Sequence, residues 1–475
     1  MKLFRLLFLL IISTLVACSG GNPVDKILKQ VAKDRVIDDT EIKKLHNKSA
    51  YKVLWTNNKV DTTKVKAYLQ KIKIPNITFQ LSTSNEIKPT YNIFLENSAS
   101  MDGYVKGKTK FESSIYAFLS DINLSGTIAD SLNLNYINSK KIPFKPEVED
   151  FIDKLEPSTF SSRGGNRGNS DMKNILDNIL TETEDNNVSV FISDCLFSLK
   201  STNNTEELLT NQSIGIKTIF AKKLKESKDF AVLVLHLNSE FDGNFYTYKN
   251  QRIKVDDERP YYIWIMGNHH YIKTLMKELN IEKSLKGNIE NYFCWAKSST
   301  TPAYRTTMLE SWGSYRPNPT NPLYGMQNPT KGKRAEQKGI FQFSIAVDLE
   351  GYGLHPDYLD NINNYSTSDD AFEVVKASKI TKEQKRKREN LSDYSHIIVI
   401  QTKKIKSVDL DISLKQVFPE WINEWHWEPE KGKNEQEELQ KSFGLKYLLE
   451  GVDEAYKGPK SEEKNFFTLT VNIEN

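Results

Sequence analysis

Apolar residues recur along the chain at two spacings, and the switch between them predicts where helices and strands lie. Val24, Ile27, Leu28 and Val31 fall at helical spacing, and so do Val65, Tyr68, Leu69 and Ile72 after Asp61, a residue suited to capping. These predict two short amphipathic helices ahead of the main domain, a packing stalk. From residue 91 to about 280 the pattern alternates. Strands are predicted at Tyr91 to Leu95, Ser131 to Ile137, Val188 to Ser193, Phe230 to Leu237 and Tyr261 to Met266. Between them run the helical stripes Phe111/Ile115/Phe118/Leu119/Ile122, Met172/Ile175/Leu176/Ile179, Ile216/Ile219/Phe220/Leu224 and Ile272/Leu275/Met276/Leu279. Strands rich in Val, Ile and Phe alternating with helices predict an α/β fold, a mostly parallel sheet with helices on both faces.

Residues 286–340 change character. The stretches SSTTPAYRTT, SYRPNPTNPLYG and QNPTKGKRAEQKG are full of Pro, Asn, Thr and Gly, and read as a loop-rich linker or an insertion. Residues 341–475 return to strand-like runs, FQFSIAVDL, HIIVIQTKKI, VDLDISL and FFTLTVNIE, which predict a β-rich, sandwich-like carboxyl-terminal domain.

At 475 residues the chain is long enough for two or three domains, each with its own core. Charge is nearly balanced, 65 Lys+Arg against 62 Asp+Glu, so no field suited to nucleic acid is implied. The leader, 1–17, changes the picture more. Lys2 and Arg5 precede an apolar run from Leu6 to Val16, too short to span a bilayer comfortably, and Leu15-Val16-Ala17-Cys18 follows. This motif resembles a bacterial lipobox. The resemblance implies cleavage before Cys18, acyl chains on its sulfur and new amino terminus, and a membrane-anchored lipoprotein of the bacterial cell envelope, in the outer membrane, with its face left open. Residues 18–89 would then be the tether and short helical segment. Cys195 and Cys294 suggest no zinc site; Cys195 reads as a small buried residue at a strand end, with a disulfide between the two as the alternative.

The candidate chemistry gathers where predicted strands end. YNIFL runs into Glu96-Asn97-Ser98-Ala99-Ser100, then the turn pair Asp102-Gly103 and Tyr104. Carboxylate and hydroxyl oxygens at alternate positions suit a hard cation. In an open α/β sheet, ligands sit at the carboxyl ends of strands, and two more polar clusters, Gly168-Asn169-Ser170-Asp171 and Ser193-Asp194, fall there too.

The segments LENSASM, GNSDMKNIL and VFISD are similar, in order and over residues 90–285, to the von Willebrand factor A domain with its metal-ion-dependent adhesion site. The resemblance implies that Ser98 and Ser100 bind a divalent cation, Mg²⁺ first among them, with Ser170 in the place of the family's threonine. Glu96 and Asp194 would act directly or through water, and an acidic group of a protein partner would complete the coordination. Two departures stand out: Glu96 replaces aspartate and is one methylene longer, and Ser170 replaces threonine. Asp102 is either a carboxylate behind the ligands or a turn residue. The glycine-rich STFSSRGGNRGN, carrying Arg163 and Arg167, reads as a rim beside the crevice, because it lacks the ending of a phosphate-binding loop. With Asp102 and Tyr104, these arginines are the candidate partner-binding residues.

Other clusters carry less. Asp38-Asp39-Thr40-Glu41 lacks the glycine of a calcium loop and reads as a helix start. His269-His270 reads as a helix amino terminus in preference to zinc, and no catalytic triad pattern occurs. The basic run TKEQKRKREN is a solvated surface or a contact for anionic lipid or glycan. Trp421, Trp425 and Trp427 are either buried against the following helix or available to sugars and protein partners. The expectation is a binding protein, not an enzyme; the alternatives are a metal-assisted hydrolase of envelope polymers or phosphoesters and a metal-free structural subunit.

Overall fold

A computed structural model describes residues 23–33, 35–46, 49–56, 59–74, 77–80, 88–145, 147–168, 171–197, 204–227, 229–249, 251–296, 301–429, 435–458 and 464–475. The leader with Cys18, and Ser170 with Asn169, lie outside the described residues. Among the described residues no helix is long and apolar enough to cross a membrane. The chain forms two compact units, Met1–Glu86 and Ile87–Asn475.

The first unit is more than a pair of helices. Helices Pro23–Val31, Asp39–His46 and Thr62–Lys71 surround a core that includes Leu28, Val31, Ile37, Leu45, Leu54, Val65 and Leu69. Asp38 and Asp61 each accept from the backbone three residues on, Glu41 N at 2.8 Å and Lys64 N at 3.1 Å, so both acids start helices. The strand Val36–Asp38 pairs in parallel with Thr78–Gln80, and the Tyr68 hydroxyl donates to Asp25 at 2.8 Å.

The second unit is built on a seven-stranded sheet. In chain order its strands are β1 (Thr90–Glu96), β2 (Ser131–Ile137), β3 (Lys141–Phe144), β4 (Asn187–Ser193), β5 (Phe230–Tyr246), β6 (Arg252–Asn268) and β7 (Ile289–Ala296). Their spatial order is β7-β5-β6-β4-β1-β2-β3. The longer helices that connect them are α1 (Lys110–Leu124), α2 (Met172–Glu182), α3 (Thr205–Glu226) and α4 (His269–Glu278). The apolar stripes of the sequence are the buried faces of these helices, from Phe111 and Ile115 on α1 to Ile272 and Leu275 on α4. They enclose a core in which Ile93, Leu95, Val190, Ile192, Leu233, Ile263 and Ile265 are fully buried. Thr109, Asp171 and Asn268 cap α1, α2 and α4, accepting from Glu112, Asn174 and His270. His269-His270 is thus a helix start.

The mostly parallel, Rossmann-like or von Willebrand factor A-like sheet is not what forms. Only β2, β1 and β4 run parallel to their neighbours; β3, β5, β6 and β7 all pair antiparallel. The physical cause is two hairpins: β2 returns at once as β3, with Ile137 paired to Lys141, and β5 returns as β6. A parallel neighbour needs a crossover, but β5 returns directly as β6, with Thr247 N donating to Gln251 O at 3.0 Å. Residues 238–260, NSEFDGNFYTYKNQRIKVDDERP, are too polar to read as strands from composition. They pair nonetheless from Pro260↔Asn238 to Arg252↔Tyr246, with Phe241, Phe245 and Val255 turned inward.

Two further sheets are mostly antiparallel. Strands β8 (Tyr304–Trp312), β9 (Ser314–Asn318), β10 (Asn321–Thr330), β11 (Phe341–Val347), β12 (Tyr365–Thr367), β13 (Phe372–Lys379), β14 (His396–Thr402), β15 (Val408–Lys415) and β16 (Asn465–Glu474) build them. The orders are β8-β11-β14-β13 and β9-β10-β16-β15-β12, and in the second only β10 and β16 are parallel. The Pro-rich stretch read as loop is therefore largely strand. Pro317 is accommodated because β9 is an edge strand and its pairing with β10 shifts register there, and Pro322 and Pro329 on β10 fall outside its pairing with β16 at Gly325 to Gln327. Residues 286–340 and 341–475 belong to the same compact unit as 90–285. Helix α5 (Leu445–Lys457) packs on α3, with Lys217 and Glu454 paired at 2.8 Å, and the Trp295 indole on β7 donates to Asp453 at 3.0 Å.

Candidate functional site

Strands β1 and β4 end side by side, and the polar residues that follow them meet there. The Ser193 hydroxyl accepts from Cys195 N at 2.8 Å and donates to the Glu96 carboxylate. Glu96 is thereby held against the end of β4, behind the loop that follows it; it is 1% exposed. Its extra methylene is accommodated by this lateral reach. The chain after β4 turns at once, with Cys195 at φ +54°, a backbone region uncommon for a residue with a side chain.

Beyond Glu96 the backbone enters a single 3₁₀ turn, Ala99–Gly103. Ser98 and Ser100 place their hydroxyls 3.0 Å apart. Asp194 is 2% exposed; one carboxylate oxygen accepts from Leu196 N at 3.3 Å, while Oδ2 is buried with no hydrogen-bond partner. Burial raises the Asp194 carboxyl above its ordinary range, and the nearby Ser100 hydroxyl and the positive charge of Arg259 oppose that rise. Glu96, Ser98, Ser100 and Asp194 are thus brought to one place. Ser170 lies outside the described residues. Among the described residues no group of three or more His, Cys, Asp or Glu converges to hold a metal, so a cation here would depend on the hydroxyls.

The glycine-rich segment forms a clamp over this turn. Arg167 donates from Nε to Asn97 O at 2.8 Å and from Nη2 to Ser98 O at 3.2 Å, and pairs with Asp102; its own carbonyl accepts from Ala99 N at 3.0 Å. Burial pushes the Asp102 carboxyl up, and Arg167 counters it. Asn138, at the end of β2, donates to Asn97 Oδ1 and to Gly164 O, both at 2.8 Å. Gly165 has φ +77°, and a Cβ there would lie 2.0 Å from Asn138 Oδ1, so this close approach requires glycine.

Two expected rim residues lie elsewhere. Tyr104 is fully buried, its hydroxyl donates to Pro260 O at 2.6 Å, and its ring packs on Phe111, Phe241 and Tyr261. It is core, and burial raises its phenol far above the ordinary value. Arg163 lays its guanidinium over the rings of Tyr136 and Phe144, at 5.0 and 4.9 Å. The reason Tyr104 is covered is the β5–β6 hairpin, which continues past the Tyr262↔Ser193 pair by roughly 30 Å at about 3.4 Å per residue. Gly103 and Gly243 meet so closely that a Cβ on Gly243 would sit 2.5 Å from Gly103 Cα.

Sequence reasoning missed Arg259 and Asn138, and read Ser193 only as part of a polar cluster at a strand end, not as the partner of Glu96. Arg259, 1% exposed on β6, donates to Leu439 O and stacks over Phe245 at 4.0 Å. Its only sequence signal is an arginine inside the run that leads into an apolar strand. The Cys195 and Cys294 thiols are free and buried. Trp421 and Trp427 are buried, and Trp425 is half-buried. Compared with known proteins, the chain matches no family model and no curated sequence.

Proposed function

We propose that this chain is a cell-envelope lipoprotein, anchored through Cys18, whose crevice at the ends of β1 and β4 binds an acidic group of a protein partner through a divalent cation, Mg²⁺ first among them. The observation that carries the reading is the paired hydroxyls of Ser98 and Ser100 beside Asp194, whose Oδ2 is buried without a partner. Such an oxygen costs free energy until something satisfies it. A hard cation does so with the oxygen donors present. Ser98, Ser100 and Asp194 would hold the ion, Ser170 would add a hydroxyl, and Glu96 would act from behind through Ser193. The bound ion would supply positive charge to a partner carboxylate.

Titration calorimetry with Mg²⁺ tests this directly. Saturable binding is expected, abolished in the Ser98→Ala/Ser100→Ala double variant while the melting transition persists. Pull-down of the partner from a homologous lysate should fail in EDTA; partner retained under both conditions would overturn the cation. Fatty-acid labelling should be lost in Cys18→Ala.

A second reading, a metal-free structural subunit, is favoured by Arg167, whose guanidinium already serves the Asn97 and Ser98 carbonyls and Asp102. No heat with Mg²⁺, together with partner binding that survives EDTA, would select it.

A further inference from the structure

A cavity of about 570 Å³ opens beside the starts of β1 and β2, at the opposite end of these strands from the Ser98/Ser100 crevice. The shortness of β3 creates it. β3 pairs with β2 only from Leu134 to Ile137, so Ser131 to Asn133 run past its end with a free edge among the described residues. Four asparagines, Asn92, Asn123, Asn133 and Asn135, line the cavity. Parallel pairing sets Asn92 beside Asn133, whose amide donates to Asn92 Oδ1 at 2.9 Å. Asn135 is 3% exposed, and its Nδ2 donates to the carbonyls of Ile93 at 3.1 Å and Asn133 at 3.4 Å. Two carbonyl partners fix this amide, because a flip would set oxygen against oxygen. Its Oδ1 is left as an acceptor with no donor among the described residues, and it is not one of the polar atoms sealed from solvent. Lys141 pairs with Glu182, and the other charged residues of the lining, Lys145 and Glu147, are of opposite sign, so the cavity carries little net charge. Half-buried Leu132 and exposed Pro143 add an apolar patch.

We propose that this cavity binds a neutral pyranose sugar. Each sugar hydroxyl both donates and accepts, and neighbouring amides offer both roles: Asn135 Oδ1 accepts and Asn92 Nδ2 donates. The apolar patch suits the C–H face of the ring, as in small-ligand sites that combine apolar walls with a few placed polar groups. A phosphate is the poorer fit, because it calls for cations free of carboxylates. Three free residues are also too short an edge for an added peptide strand. The volume lies within the roughly 300–1,000 Å³ of small-ligand sites. The site is independent of the Ser98/Ser100 crevice and of any cation there.

Saturation-transfer NMR on the full mature chain tests this, with methyl α-glucoside, methyl β-galactoside and N-acetylglucosamine as probes. At least one of them should show saturable transfer that EDTA leaves unchanged. Asn133→Ala, at an exposed position, should weaken binding about two- to tenfold through the loss of its amide. Asn135→Ala should weaken it at least as much while the cooperative melt persists; where that variant fails to fold, Asn133→Ala and Asn92→Ala decide. Inorganic phosphate at the same concentration should not compete. No saturable transfer from any of the three sugars, transfer that is unchanged in Asn133→Ala, or displacement by phosphate would overturn the site.

Discussion

His236 on β5 is a fully buried ring with neither nitrogen partnered, stacked between Tyr262 and Trp421 and touching Trp425. Burial pushes its pKa down to about 3, and those of His269 and His396 to about 4. A depressed folded-state pKa means that the unfolded chain binds the proton first, so the stability these rings confer is present above about 6.5 and is lost as pH falls towards 4 and below. Glu112 works against this, because burial raises its carboxyl to about 7, and its contribution is lost as pH rises through that value. His236, His269, His355 and His396 favour a fall in melting temperature between pH 6.5 and 4 and the raised carboxyls of Asp102, Glu112, Asp194, Asp360 and Glu450 oppose it, so the histidine share of the fall is read from the difference between the unmodified chain and His236→Phe. His236→Phe should flatten that fall and leave stability at pH 7 unchanged or higher by about 1 kcal/mol, since it removes unsatisfied buried nitrogens. A steep loss of stability at pH 7 would show that the imidazole has a partner. At the clamp, Arg167→Ala leaves two loop carbonyls without their donor and is expected to cost about 1–3 kcal/mol in denaturant unfolding. Lysine should restore only part, because it lacks the fork that reaches two carbonyls and a carboxylate at once.

Helix α5 meets α3 through Gly451, where a Cβ would stand 2.6 Å from Ser213 O and 2.8 Å from Ile216 Cβ. Gly451→Ala removes a poor helix former but overpacks the contact. The second effect wins, and a net loss of about 1–3 kcal/mol is expected in chemical denaturation. The helices were legible because each shows an apolar stripe: Phe111, Ile115, Phe118 and Ile122 state a helix and its inner face. The β5–β6 hairpin was not, because its outer half alternates Ser, Glu, Asp and Asn with a few aromatics, and composition reads that as loop. The same holds for β8 to β10, where Pro317 on an edge strand and Pro322 and Pro329 at the two ends of β10 hid a sheet. That Asp194 comes near Ser98 was partly legible, since both follow predicted strands, and Arg167 was legible only as part of a rim beside them.

Across the molecule, residues 87–475 form one unit, and β16 joins β10 to β15 inside its five-stranded sheet. Deleting 465–475 therefore removes an interior strand, and loss of the cooperative melt is expected, measured by circular dichroism. A chain that begins at residue 88 should keep its own cooperative transition, because its core does not draw on the first unit's buried residues.

The sequence by itself determined the positions and inward faces of most helices in 87–280 and the placing of Glu96, Ser98, Ser100 and Asp194 at the ends of predicted strands, but neither the order nor the direction of those strands. These follow from local periodicity, whereas the rule that crossover helices return strands in parallel holds here only for β2, β1 and β4. Only the tertiary structure decided the rest: that the sheet becomes antiparallel beyond β4, that Glu96 turns aside to Ser193, and that Tyr104 is core. The burial of Tyr104 depends on the hairpin's distal half laid over the 98–104 turn, and the Glu96 contact on β4 lying beside β1; they join residues 156 and 97 positions apart, which no local pattern encodes.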